Sequence, residues 1–203
     1  CKAAAGDSGA LGHLLDPHRV RLRRMVSLRI DRRLRSRIDP SDIVQEAYVE
    51  AARRLSEYSS SPNLPFYLWL RGITAERLID QHRRHLGAQA RSVNREITLG
   101  RGTAPEATSA ALAAQLLGKG TSPSAAAQRA ERRLRLQQSL ELLEPLDREI
   151  LALRHFEQLT NGEAAATLGL EKSAASKRYA RALVKLRDIL RTMPEGLDGF
   201  SAT

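Results

Sequence analysis

Four carboxylates recur in the stretch DPSDIVQEAYVEA: Asp39, Asp42, Glu46 and Glu50, with no Lys or Arg among them. Such acids can hold a cation, form the solvated face of a helix, or meet a basic partner. A hard divalent cation needs six or more oxygens around it, and Asp39, Asp42 and Glu46 on one open helical face give poor octahedral geometry. His82 and His85 read as surface residues without metal-ligand spacing. No nucleophile stands beside a convincing basic cluster. The expectation is therefore no catalytic residue, no metal and no cofactor.

Placed on a helix, Val44, Tyr48, Ala51 and Leu55 form one apolar stripe. Asp42, Glu46 and Glu50 fall opposite, and Asp39 joins them at the helix start. Capping and the macrodipole account for Asp39 and Asp42. They do not account for Glu46 and Glu50, because like charges four apart are mildly destabilising. A basic partner explains the strip, against a plain solvated face.

A second constellation is cationic. LTNGEAAATLGLEKSAASKRYARALVKLRDIL carries Lys172, Lys177, Arg178, Arg181, Lys185, Arg187 and Arg191 against Glu171 and Asp188 in its second half. Thr160 or Asn161 can cap a short helix to Leu168, Gly169 permits the tight turn and Leu170 plugs it. A second helix then runs from about Lys172 to Leu190, with Leu183, Leu186 and Leu190 as its apolar face. This is a helix-turn-helix pattern; the plainer reading is a helical hairpin with a basic outer side. PLDREILALRHFEQL, with Pro at a favoured entry position, packs Leu146, Ile150, Leu153 and Phe156 behind the pair.

The whole chain has 203 residues and a net charge of +10, with 42% hydrophobic and 4% aromatic residues. Such a balance, with a pI near 10.6, points to a polyanion such as nucleic acid. Nine Arg and one acid, Asp31, lie between Arg19 and Arg37. Abundant Ala, Leu and Arg favour helices over sheets. The single cysteine, Cys1, fits a reducing, cytoplasmic setting. The longest apolar run, Ala110–Leu117, is too short to span a bilayer.

In chain order, three segments resemble the bacterial extracytoplasmic-function (ECF) sigma factors. DPSDIVQEAYVEA is similar to that family's core-polymerase-binding helix. FYLWLRGITAERLIDQHRRH resembles its promoter-melting helix. LDREILALRHFEQLTNGEAAATLGLEKSAASKRYARALVKLR resembles its fourth conserved region. The similarity covers roughly residues 17–90 and 125–191.

The resemblance implies an all-α fold: two small helical domains joined by an extended linker, the second a helix-turn-helix. The expected division is a flexible N-terminus (1–16), sigma region 2 (17–91), a linker (92–124), sigma region 4 (125–192) and a flexible tail (193–203). It assigns Asp39, Asp42, Gln45 and Glu46 to a basic coiled-coil of the polymerase's largest subunit. Minus-ten DNA falls to Tyr58, Asn63, Phe66, Trp69, Arg71, Arg77, Arg83 and Arg84. The aromatics would stack on unpaired bases, the arginines would follow phosphates, and Asn63 would read a flipped base. For Trp69 the plainer reading, core packing, is favoured over base contact. Minus-thirty-five duplex falls to Lys172, Ser173, Ser176, Lys177, Arg178, Arg181 and Lys185. The implied partners are core RNA polymerase, promoter DNA and an anti-sigma factor, with no membrane.

Several residues depart from the family pattern. Leu68 stands where primary sigma factors have the first of two melting aromatics. Glu76 stands where Asn is common. Ser176, Lys177 and Ala180 occupy base-reading positions. The rivals are a helix-turn-helix regulator acting without polymerase and a DNA recombinase with a helix-turn-helix tail.

Overall fold

A computed structural model describes residues 8–93, 104–117 and 126–191, and every regular element among them is helical. The chain divides into two compact units, Cys1–Pro105 and Glu106–Thr203.

The first unit comprises α1 (Ser8–Leu15), α2 (Arg19–Arg29), α3 (Pro40–Ser60) and α4 (Phe66–Val93), with short 3₁₀ turns at Asp16–His18 and Arg32–Leu34. The part of the expected flexible N-terminus inside the described residues is a helix. Leu15 is buried, and its carbonyl accepts the Tyr48 hydroxyl at 2.7 Å. α2 and α3 pack on each other and on α4. The buried stripe of α3 is broader than expected, adding Ile43 and Ala47 to Val44, Ala51 and Leu55, while Tyr48 is half-buried. Leu22, Met25, Val26 and Leu28 of α2 and Leu70 and Leu78 of α4 are buried in the same unit.

Two polar ties brace this unit. Arg54 on α3 bonds Glu50 at 2.6 Å and reaches Glu76 on α4 at 3.0 Å. The Asp31 amide donates to His82 Nε2 at 3.3 Å. His82 is therefore half-buried rather than a surface residue.

The second unit comprises α5 (Ser109–Leu116), α6 (Ala126–Glu141), α7 (Pro145–Leu151), α8 (Asn161–Leu168) and α9 (Lys172–Arg191). α7 ends in a π turn, Ala152–Phe156, where the Glu157 amide donates to the Ala152 carbonyl at 2.9 Å. Of the expected linker, residues 94–103 and 118–124 lie outside the described residues. The rest holds α5, which packs on α6 with Ala111, Leu112 and Ala113 buried. The Ala107 amide donates to the buried Glu149 carboxylate at 2.9 Å. Ile150, Leu153, Ala164, Ala175 and Ala182 join α7, α8 and α9.

The His82 tie has a pH signature. Its Nε2 accepts, so the ring is neutral. Burial pushes its pKa below the ordinary value of 6.5, against the opposing pull of Asp31. A depressed histidine means that the unfolded chain binds the proton more readily. Its contribution is complete above pH 6.5 and lost as pH falls through the folded-state value. Urea midpoints should therefore decline from pH 7.5 toward 5.5, and this dependence should shrink in His82→Gln. An imidazole signal titrating at or above 6.5 would contradict it.

Candidate protein and nucleic-acid interfaces

The acidic helix begins with Asp39, whose carboxylate accepts the Ser41 amide at 2.7 Å. That hydrogen bond, foremost, holds its pKa below the usual carboxylate range. Asp42, Gln45 and Glu46 are exposed. Glu46 accepts from Gln81 on α4 at 2.8 Å. Glu50 differs from the other three. Its Arg54 hydrogen bond lowers its pKa, so this acid has a structural reason and needs no basic partner.

At the corner between α3 and α4, Trp69 stacks on Tyr58 with centroids 4.5 Å apart and planes inclined by 26°. Phe66 touches both rings, at 5.5 Å from Trp69 and 5.8 Å from Tyr58. The Tyr58 hydroxyl donates to the Leu64 carbonyl at 2.7 Å, bracing the turn that carries exposed Asn63. Sequence reasoning missed two neighbours. The His18 ring lies 5.6 Å from Phe66 and 5.5 Å from Tyr67, and the Arg21 guanidinium sits 3.7 Å over the Tyr67 ring.

Of the arginines expected along α4, Arg83 and Arg84 are exposed. Arg77 and Arg83 both lie near Asp80, at 3.2 and 3.9 Å. Arg71 requires correction. It is 3% exposed, because it shares the inward face of α4 with Thr74, Ala75 and Leu78, so the fold offers no guanidinium to a phosphate there.

The helix-turn-helix is closed by specific local bonds. Thr160 caps α8 in a reciprocal capping box with Glu163. Gly169 has φ +64, a conformation open to glycine at little cost. The Leu170 amide returns to the Ala165 carbonyl at 2.9 Å. Asn161 Nδ2 donates to the Lys172 carbonyl at 2.7 Å, tying the starts of α8 and α9. Lys172, Ser173, Ser176, Lys177 and Arg181 are exposed along α9. Leu183, expected in the apolar face, is 39% exposed; small Ala175 and Ala182 make the close contact instead.

Arg178 and Lys185 also require correction. Both turn toward Asp147 on α7, with bonds of 2.7 and 2.8 Å, and Glu144 lies 3.4 and 3.7 Å from the same two cations. Burial raises the Asp147 pKa, but the hydrogen bonds from Lys185 and Arg178 outweigh it and hold the carboxyl below its usual range. Sequence alone shows Asp147 as an ordinary acid in the first turn of a helix; its burial is what makes it a clamp. Among the described residues no cluster of His, Cys, Asp or Glu could hold a metal ion, and no helix is long and apolar enough to cross a membrane.

A family model described as ECF sigma factor matches residues 1–192. The chain is 30% identical over 187 residues to the ECF RNA polymerase sigma factor SigD of Mycobacterium tuberculosis and Mycobacterium bovis, covering 92% of this chain and 80% of theirs. It is 40% identical over 63 residues to the RNA polymerase sigma-E factor of Streptomyces coelicolor, or 31% of this chain and 35% of that one. Among solved structures, CnrH in complex with the cytosolic domain of CnrY superposes with a TM-score of 0.54 at 26% identity, covering 93% of this chain and 92% of that one.

The clamp separates two arginines that look alike in sequence. Arg178→Ala should lower the unfolding free energy by about 1.5–3 kcal/mol without any ligand, the range for a hydrogen bond to a charged group. Arg181→Ala should stay within about 0.5 kcal/mol of the parent. Urea titration of both variants checks this; equal stabilities would mean that the Asp147 clamp carries nothing.

Proposed function

The chain belongs to the ECF sigma factor family, and on that premise we propose that it binds core RNA polymerase through the exposed acids of α3 and directs it to promoters through α9 and the α3–α4 corner. Asp39, Asp42, Gln45 and Glu46 meet a basic surface of the polymerase. α9 enters the minus-thirty-five major groove, with Ser173, Ser176 and Lys177 toward the bases and Lys172 and Arg181 toward phosphates. Arg178 and Lys185 hold the helix at its angle through Asp147.

At minus ten, Phe66 and Trp69 receive unpaired bases, Asn63 reads a flipped base, and Arg83 and Arg84 follow the strand. Tyr58 braces that turn. The protein makes and breaks no bond itself, and it works where the polymerase is, in the cytoplasm. The likeness to CnrH, solved with a cytosolic partner domain, supports an anti-sigma partner that covers these surfaces.

The observation that carries the reading is charge segregation. A net +10 chain keeps three exposed acid or amide side chains together on α3 while its helix-turn-helix presents an exposed basic edge. Run-off transcription with purified core polymerase tests it. A regulator acting without polymerase, or a recombinase, would give no promoter-dependent transcript.

Two variants divide the proposal. Asp42→Lys with Glu46→Lys should abolish association with core polymerase, because contacts worth about 2–5 kcal/mol each become repulsive. Folding should survive, since both side chains are exposed. Normal pull-down of polymerase by that double variant would remove α3 from the interface. Asn63→Ala should lower permanganate reactivity of unpaired thymines more than it lowers closed-complex binding in a mobility shift. A promoter mismatched at minus ten should partly rescue it, because the unpairing cost is already met. Unchanged reactivity would leave the turn as a connection only.

A further inference from the structure

We infer that Asp147, with Glu144 beside it, determines the selectivity of α9: by holding Arg178 and Lys185 against α7 it withholds two cations from DNA phosphates and limits how tightly α9 binds duplex of any sequence. This rests on the reading of α9 as the helix that enters the minus-thirty-five groove, and it names residues outside that helix that set its preference.

Arg178, Arg181 and Lys185 follow one another at steps of three and four residues, so they are neighbours along one edge of α9. Arg181 is exposed there. Asp147 takes Arg178 at 2.7 Å and Lys185 at 2.8 Å, and Glu144 stands 3.4 and 3.7 Å from the same two nitrogens. Three cations against two acids leave this edge one formal positive charge. Burial makes the clamp one-sided. The Asp147 side chain is 4% exposed, against 24% for Arg178 and 48% for Lys185, so the acid is fixed inside the joint and the cations lie at its rim. A phosphate that drew both cations away would leave a buried carboxylate without them, which is costly. Removing the charge of Asp147 lifts that cost, and both long side chains can then swing to the Arg181 edge.

Phosphate contacts position a protein on any duplex, whereas base edges carry the sequence. A cation freed at the edge of α9 strengthens binding to promoter and random sequence alike, and taken alone it cancels in their ratio. The clamp does not act on phosphates alone. The same bonds hold α9 at the angle from which Ser173, Ser176 and Lys177 face the bases. Releasing them therefore tightens the grip common to all sequences while loosening the readout that tells sequences apart. Competing sites in a genome far outnumber promoters, so both changes cost selectivity.

The test measures the full chain on a scrambled duplex, and the full chain with core polymerase on promoter against scrambled duplex. Asp147→Asn should bind the scrambled duplex more tightly than the parent, with the slope of log affinity against log salt steeper by about 0.9 for each cation released. Its preference for promoter over scrambled duplex should fall severalfold. Adding Lys185→Gln to Asp147→Asn should take back about 0.9 of that slope, a cancellation that a merely loosened joint would not produce. Glu144→Gln, at an exposed position, should steepen the slope in the same sense and decides the matter if Asp147→Asn does not fold. An unchanged or shallower slope on scrambled duplex in the folded variants overturns the inference, making Asp147 a joint only and leaving the sigma-factor reading standing. No preference of the parent holoenzyme for promoter over scrambled duplex would overturn both.

Discussion

Self-repulsion governs this molecule. With 33 Lys and Arg against 23 Asp and Glu, helices pack most cheaply where each charge at a joint meets a partner of opposite sign or a hydrogen-bonding group. Several helix joints are built that way. Arg54 lies between Glu50 and Glu76 where α3 meets α4. Asp147 lies between Arg178 and Lys185 where α7 meets α9. Glu149 receives the Ala107 amide ahead of α5. Breaking such a site from one side leaves a charge poorly solvated, which is costlier than losing a surface pair.

Acids used at joints are not available to partners, and this divides residues that look equivalent. Glu50 shares the four-residue spacing of Asp42 and Glu46, yet its carboxylate belongs to the fold. Arg178 and Arg181 sit on the same basic helix, but one is clamped and the other exposed. Arg71 is buried on the inward face of α4. The surfaces left over are smaller than the composition suggests and more sharply signed.

How much was legible follows from the range of each interaction. Local patterns were readable. Thr160, Gly169 and Leu170 define the turn of the helix-turn-helix through bonds that span six residues or fewer, and the Val44–Leu55 stripe marks the buried side of α3. Long-range pairings were not readable. The Arg54–Glu76 and Asp147–Lys185 bonds join residues 22 and 38 apart, and His82 meets Asp31 across 51. No periodicity reports them. α1 was not legible either: residues 1–16 are rich in Gly and Ala, a composition that reads as loose chain although Leu11, Leu14 and Leu15 stand at helical spacing. α9 turns on small Ala175 and Ala182 rather than on its leucines, since close helix approach favours small side chains.

The stack of Tyr58 on Trp69 bears on energetics under the proposed reading. These rings already have partners, so an incoming base joins by exchange rather than by filling an empty platform. Aromatic pairs are worth about 0.5–1.5 kcal/mol, and a base stacked on an aromatic ring about 1–3 kcal/mol. If the pair opens, the surplus per base is small, comparable to the cost of unstacking the duplex. A device balanced so near zero cannot force open an arbitrary sequence. It leaves the decision to the DNA, so only promoters that part easily at the right step will tip it.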